Sequence, residues 1–572
     1  MTTAQPALAL SPWARWRQTL PLLAAILILN FLLILPNHPD ALTLWAFTML
    51  ALELPVLLLL LLLAPPRWGR WLAATGAILL TLVSLLKALD LATYLSFARP
   101  FDVVLDTHLV VAAWHLLSGS VGLPLTILAI AVLTLGVAGI GWLGYRAGWR
   151  VASARLDNGE RRMALALTLC LLVGFAAADA GKLLQLWPSR TAAFSSRIYR
   201  DHGLRIHQSM GNLRSFQAEV DNDRLAELQP PTLLQGLAGH DVLLMFVESY
   251  GRANLDNPLY ADTTRAALTE LQQVVDASGL AVRSGWLDSP IQGGQSWMAH
   301  ATLLSGLWID NQPRYLAFLA SRRQTLIGAF ARAGWETVSM MPAITMFWPE
   351  GDLLGFQRIY DAAAMEYRGL PFNWVTMPDQ YTLSELHRRE LSVTGRAPLF
   401  VKVALISSHA PWTPIPPVLD WAEIGDGRVF SDYARLGDPP AVVWRDRDRV
   451  RDQFRQSIDY VLRTLASFTE TKLGNERLMI VLGDHQPAPM VAGQGTGLHV
   501  PVHIVGPAEV LAQLDDWGWT PAAIPADDAP VWSMAAFRDR FLETFSGVQG
   551  GTVAARMDDM DRVEAAEHLS FP

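Results

Sequence analysis

The chain has 572 residues, 51% of them apolar, a mean hydropathy of +0.24 and a formal net charge of −8. The apolar excess points to a membrane part, and the negative balance argues against a nucleic-acid binder. Its single cysteine, Cys170, excludes an intrachain disulfide and a thiolate zinc site within this chain.

The apolar excess sits in the first ~180 residues. Five segments there, near 19–36, 41–64, 71–96, 121–145 and 163–181, are long and apolar enough to cross a bilayer, which takes roughly 20 residues each. Arg15 and Arg17 place the start of the chain in the cytoplasm. Arg67 and Arg70 mark the next inner loop, and the arginines between Arg146 and Arg162 the one after it. Five spans then leave everything after ~182 outside the cytoplasmic membrane. The expected division is a transmembrane domain at 1–181, a juxtamembrane linker or interfacial helix at 182–239, and an extracytoplasmic globular domain at 240–572. The basic segment 188–214, with Arg190, Arg197 and Arg200, reads equally as an interfacial helix or a charged linker.

Glu53, Lys87, Asp90, Asp102, Asp106 and His108 are ionisable residues in or beside the spans, where charge is costly and therefore functional by default. Lys87 and Asp90, three apart on one helical face, are expected to neutralise each other. Segment 99–119 is too polar and too short to span and is expected at the outer interface, where Asp106 is a candidate for holding a lipid head group.

From ~240 onward strand-like apolar runs (242–247, 280–285, 336–341, 399–406, 477–482, 499–505) alternate with helix-like stretches (262–277, 324–333, 448–468). This alternation predicts an α/β domain with a mostly parallel sheet covered by helices, and sites in such sheets form at the carboxyl ends of strands. Glu248, His409 and Asp484-His485 each fall where such a run ends, which favours one shared site. The Pro- and Trp-rich segment 410–447 is expected to cover that site or to wrap the surface. No repeat, low-complexity tract or Gly-rich phosphate loop is present.

Two carboxylates and an imidazole are common ligands of a divalent metal, and a metal can activate a weakly acidic hydroxyl. Glu248, Asp484 and His485 supply three ligands, and Ser296 in Gly293-Gly-Gln-Ser-Trp297 a fourth. Ser296 precedes a helix-like run, where backbone N–H groups favour an anionic, tetrahedral group such as phosphate or sulfate. The plain alternative is a helix-capping serine. His409 is a candidate proton donor or phosphoryl ligand, with a structural turn histidine as the alternative. His499 is a second such candidate. His503 alternates within a strand and reads as structural. An oxygen and nitrogen ligand set suits Mn²⁺ or Zn²⁺, with Mg²⁺ also open.

With Phe246-Val-Glu-Ser249, the segment around Ser296, Ser408-His-Ala-Pro411 and Gly483-Asp-His-Gln-Pro487, the chain resembles the sulfatase-like branch of the alkaline phosphatase superfamily. The layout is similar to lipoteichoic acid synthases, phosphoglycerol transferases and phosphoethanolamine transferases. The resemblance implies five spans and an extracytoplasmic domain with an alkaline phosphatase/sulfatase-like sheet. It also implies a two-step transfer. A hydroxyl, here Ser296, attacks a phospholipid phosphodiester, diacylglycerol leaves, and an acceptor hydroxyl takes the phospho-head-group. Metal ligands map onto Glu248, Ser296, Asp484 and His485, and the phosphate-side histidine onto His409. Phe347-Trp348 and Gly355-Phe356 also match the family's substrate-side region. The nucleophile is serine where these transferases usually carry threonine, and the Cys/Ser-x-Pro-x-Arg signature of true sulfatases is absent. Pro349-Glu350 follows Trp348 where lipoteichoic acid synthases have an arginine; Glu350 is a candidate for facing a cationic head group.

The expected donor is a membrane phospholipid and the acceptor a glycan or lipid. An ester hydrolase using the same site and a non-catalytic lipid sensor are the competing readings. Five spans favour the transferase over the hydrolase, and an intact ligand set weighs against the sensor.

Overall fold

The structure is a computed structural model that describes residues 12–106, 109–110, 113–114, 117–118, 122–183, 191–223 and 232–546. His108 and Arg190 lie outside the described residues. The chain forms two compact units. One holds residues 1–95 and 99–212, the other 96–98 and 213–572.

Apolar helices occupy all five places expected in the first unit. Among the described residues three are long and apolar enough to cross a membrane: Arg67–Phe97, Leu123–Ala152 and Asn158–Gly181. Thr19–Ile34 and Glu53–Leu63 are shorter. Glu53–Leu63, at ~1.5 Å per residue, falls well short of a ~30 Å hydrocarbon core. The expected span 41–64 is therefore helical only in its second half. Before it the backbone breaks into turns and a two-residue strand, β1 (Leu50–Ala51), paired with β2 (Thr191–Ala192). Asn30 fixes that break. Its side-chain amide donates to Met49 O at 3.1 Å and accepts from Ala51 N at 3.0 Å. Helix Leu123–Ala152 exposes Ile127, Leu128, Val132 and Leu135, the pattern of a lipid-facing surface.

Lys87 and Asp90 do not neutralise each other. The Lys87 ammonium donates to Leu33 O at 2.6 Å and to Ser195 Oγ at 3.2 Å. Asp90 accepts from Asn37 and from the Phe101 N–H, both at 3.0 Å, and its carboxylate lies 3.3 Å from His202 Nε2. Glu53 accepts from the N–H and hydroxyl of Ser196 at 2.8 Å each. Three charged residues of the apolar helices thus hold the start of helix Ser195–Asp221. Asp106 is taken up by a bidentate pair with Arg99 at 2.6 and 2.7 Å.

The second unit is built on an eight-stranded sheet in the order β10-β4-β9-β8-β3-β7-β5-β6. The strands are β3 (Asp241–Val247), β4 (Ala281–Asp288), β5 (Glu336–Met341), β6 (Arg358–Asp361), β7 (Leu399–Leu405), β8 (Arg477–Gly483), β9 (His499–Gly506) and β10 (Val531–Ser533). All pairs are parallel except those of β9 with β4 and β8. The six expected strands are all present; β6 and β10 are additional edge strands.

Every residue of β3 is buried, because helices cover both faces, as a parallel sheet requires. Leu243, Met245 and Val247 face a core shared with helices Ala261–Ala277 and Arg447–Phe468. Val242, Leu244 and Phe246 face one shared with Ser296–Ser305, Leu326–Arg332 and Ala536–Phe545. Helix Arg447–Phe468 shows how the sequence dictates this. Asp446 caps it by accepting from Asp448 N at 2.9 Å, and Val450, Phe454, Ile458, Val461 and Leu465 recur at three- and four-residue spacing on its buried side.

Candidate active site and metal centre

β3 and β8 lie side by side and parallel, with Val247 opposite Gly483, so the residues that follow, Glu248 and Asp484, emerge together. Gly483 is required there: a Cβ would lie 1.7 Å from the Tyr250 carbonyl oxygen. Ser296 arrives by a separate route. The segment after β4 runs alongside the Asp484–Pro487 segment, with Gly293 N donating to Gln486 O at 2.9 Å and Gln292 Nε2 to Pro487 O at 3.0 Å. Gln295 then takes the left-handed conformation, φ +67°, and Ser296 is the first residue of helix Ser296–Ser305. A side chain other than glycine in that region stores strain, which recurs at functional sites.

The structure brings together the four residues that the sequence puts forward as ligands. The Ser296 hydroxyl donates to Glu248 Oε2 at 3.0 Å and lies 3.3 Å from His485 Nε2. It is not spent on capping its own helix. One ligand atom from each of Glu248, Asp484 and His485 lies within 4.8 Å of the others. His485 Nδ1–H donates to Gln486 O at 2.8 Å, which turns Nε2 toward the carboxylates, the arrangement that fixes a metal-binding imidazole. Asp484 Oδ1 accepts from Ser249 N at 2.8 Å and His485 N at 2.7 Å. This set of two carboxylates and one oriented imidazole fits a divalent cation.

The electrostatics agree. Burial works against the Glu248 anion, yet the imidazoles of His485 and His409 and hydrogen bonds from His485 and Ser296 hold its carboxyl well below the usual range. Burial pushes Asp484 up to about 7, and the Glu248 charge adds to this. Burial disfavours the His485 cation, but the charges of Asp484 and Glu248 outweigh it and raise the imidazole to about 9. A positive charge is favoured at this point, as a site for a cation requires.

His409 is exposed, and its Nδ1–H donates to Ala410 O at 2.6 Å, leaving Nε2 available. It lines a cleft with Phe372, Val375, Trp412 and prolines of segment 410–447. Asp379, fully buried, accepts from Ile406 N at 2.7 Å and Ser407 N at 3.1 Å and thereby fixes the turn that leads to His409. His499, at the amino end of antiparallel β9, lies at this same edge of the sheet, but Asp288 at 3.9 Å is its ionic neighbour rather than the Ser296 cluster. Trp348 packs on Phe356, with ring centroids 6.5 Å apart, and the Glu350 charge acts on the Tyr315 phenol. His503 is structural: it is buried between Ser284 Oγ at 2.9 Å and Tyr250 Oη at 3.1 Å.

Several contributors escaped the sequence reading. The Ser408 hydroxyl donates to Glu248 O and that of Ser289 to Asp484 O, both at 2.6 Å. Lys402 is 1% exposed in the middle of β7, beside Met341 Sδ at 3.1 Å and 5.7 Å from the Phe246 ring. A lone lysine within Leu399-Phe-Val-Lys-Val-Ala-Leu405 was the signal for it. His300, one helical turn beyond Ser296, packs against Phe246 with the rings tilted by 43° and their centroids 4.0 Å apart.

No family model matches the chain, and no curated protein does. Among solved structures, the lipoteichoic acid synthase LtaP from Listeria monocytogenes is similar over 60% of this chain and 78% of its own, at 10% identity and a TM-score of 0.38. The C-terminal periplasmic domain of EcEptC from Escherichia coli, in complex with Zn, is similar over 54% and 82%, at 14% identity and a TM-score of 0.36. The Streptococcus pyogenes phosphoglycerol transferase GacH, in complex with sn-glycerol-1-phosphate, is similar over 59% and 80%, at 14% identity and a TM-score of 0.36. Likeness at this level assigns no chemistry; the Ser296 cluster itself supports the functional reading.

Proposed function

We propose that this protein is a metal-dependent phosphotransferase of the cell envelope. It moves phosphoglycerol or phosphoethanolamine from a membrane phospholipid to an extracytoplasmic glycan or lipid through a covalent Ser296 intermediate. The observation that carries this reading is the Ser296 hydroxyl, held 3.0 Å from Glu248 and 3.3 Å from His485 at the start of a helix. The candidate spans of the first unit support a lipid donor.

Glu248, Asp484, His485 and Ser296 would hold Mn²⁺ or Zn²⁺, with Mg²⁺ the third choice for such donors. A divalent cation there supplies Lewis acidity, making the hydroxyl a better nucleophile and offsetting phosphoryl charge. In the first step Ser296 Oγ gives up its proton to solvent and bonds to phosphorus. The bond from phosphorus to the glycerol oxygen breaks, and diacylglycerol leaves with a proton from His409 Nε2. Free N–H groups at the start of helix Ser296–Ser305 stabilise the phosphoryl oxygens. In the second step the acceptor hydroxyl attacks phosphorus and its proton returns to His409. Ser296 leaves and recovers a proton from solvent. Trp348, Glu350 and His499 complete the proposal as contacts to the head group.

The test uses full-length protein in liposomes of defined phospholipids with Mn²⁺ or Zn²⁺. Diacylglycerol release that disappears in Ser296→Ala supports the reading, and the lipid consumed names the head group. Metal-loaded protein that releases none from any donor refutes it.

A further inference from the structure

The second unit leaves several large apolar side chains in solvent beside its active site. Met346 is 78% exposed and Phe347 86%, at the tip of the segment that follows β5. Leu353 on helix Pro349–Leu354, Leu316 on helix Gln312–Leu319, and Trp297 are also exposed. The elements that carry these residues adjoin one another. The Trp297 indole N–H donates to Gln312 Oε1 at 3.1 Å, Leu316 lies one helical turn beyond Gln312, and helix Gln312–Leu319 packs against Pro349–Leu354. Trp297 follows the nucleophile directly. The Thr376 hydroxyl ties in a neighbouring loop by donating to Pro342 O at 2.6 Å, and that loop carries exposed Trp374.

Contiguous exposed apolar surface marks a binding face, and aromatic residues favour the boundary between water and lipid. A second protein surface would meet the same apolar groups. Two observations select lipid. The chain carries helices able to cross a membrane, which keep it at a bilayer. The patch also borders Ser296, where the reading above, on which this inference rests for its donor, requires the phosphodiester of a lipid. We infer that the Met346–Phe347 tip and the flanking Leu353, Leu316 and Trp297 form a lipid-docking face that seats the catalytic unit on the membrane surface.

The test places an environment-sensitive fluorophore at Phe347→Cys in full-length protein whose Cys170 has been replaced by Ser. The protein is held in nanodiscs of phosphatidylglycerol and phosphatidylcholine. A second label at Leu353→Cys gives an independent reading. Val393→Cys, on the segment leading into the amino end of β7, serves as the control. The expected result is blue-shifted emission at 347 and 353, quenched by lipids carrying a nitroxide. A shallow nitroxide should quench more than a deep one, since interfacial elements sit roughly 5–10 Å into the head-group boundary. Label 393 should stay water-like. Water-like emission at 347 and 353, or a blue shift that follows protein concentration in detergent and so reports a second copy, overturns the inference. The labels report insertion whether or not the protein turns over, so failure of the transferase reading and failure of this one are separable.

Discussion

The backbone N–H of Ser249 donates to Asp484 Oδ1 at 2.8 Å, so the residue after one carboxylate aims the other. Ser249 does this at φ +59°, and its hydroxyl donates to Glu248 Oε1 at 3.0 Å. Both carboxylates thus depend on one strained residue. Ser249→Gly relaxes the backbone but removes the hydroxyl. Folding stability should hold or rise slightly while metal affinity drops about tenfold, the scale of lost partners behind a ligand. Ser249→Val, β-branched at positive φ, should also lose stability. Competitive metal titration with thermal unfolding measures both effects.

Lys402 gives a prediction in pH. Burial pushes its ammonium down to about 7 from 10.5, although the Asp484 charge acts in the opposite sense. Below pH 7 the lysine is charged whether folded or unfolded, and the folded chain bears the full burial cost. Between about 7 and 10.5 only the unfolded chain keeps the proton, so stability rises with pH. Lys402→Met should lack this rise and exceed the wild type near pH 7 by roughly 1–4 kcal/mol. Denaturation midpoints of the two proteins across that range measure the difference. A wild-type curve parallel to that of the variant contradicts the assignment.

Within the first unit, Glu53 accepts from both the N–H and the hydroxyl of Ser196. Glu53→Ala should free the first turn of helix Ser195–Asp221. Amide hydrogen exchange at 195–199 should then accelerate at least about tenfold, a local opening made easier by about 1.4 kcal/mol. Unchanged protection would assign the docking to Lys87 and Asp90 instead.

The sheet and the clustering of the candidate ligands were legible in the sequence for one physical reason. Buried parallel strands are continuous apolar runs, and the polar residues that end them, such as Glu248 and Asp484, stand out. Edge strands β6 and β10 did not stand out, because Arg358–Asp361 and Val531–Ser533 are short and half-exposed. The helix break before Glu53 was hidden as well. It depends on the Asn30 amide reaching residues some twenty positions away, a tertiary contact that local hydropathy cannot express. Lys87 and Asp90 misled for a related reason. Their three-residue spacing suggested a pair, while partners on other segments, Leu33, Ser195, Asn37 and His202, claimed each charge.

Ser296→Thr should retain the covalent step, because the hydroxyl survives, with a reduced rate set by the added methyl group. Ser296→Ala should lose at least about a thousandfold, the scale of removing a nucleophile. Metal content read on the same samples separates a lost nucleophile from a lost ligand. Retained metal with lost turnover assigns Ser296 to the chemistry.

The most direct measurement is the mass of the peptide that contains Ser296, taken after metal-loaded protein has been mixed with phospholipid in the absence of acceptor and quenched in acid. The account predicts a phospho-head-group adduct on Ser296, equal in amount to the diacylglycerol released and discharged when acceptor is added. Diacylglycerol released with Ser296 unmodified, or from Ser296→Ala at the wild-type rate, would contradict it.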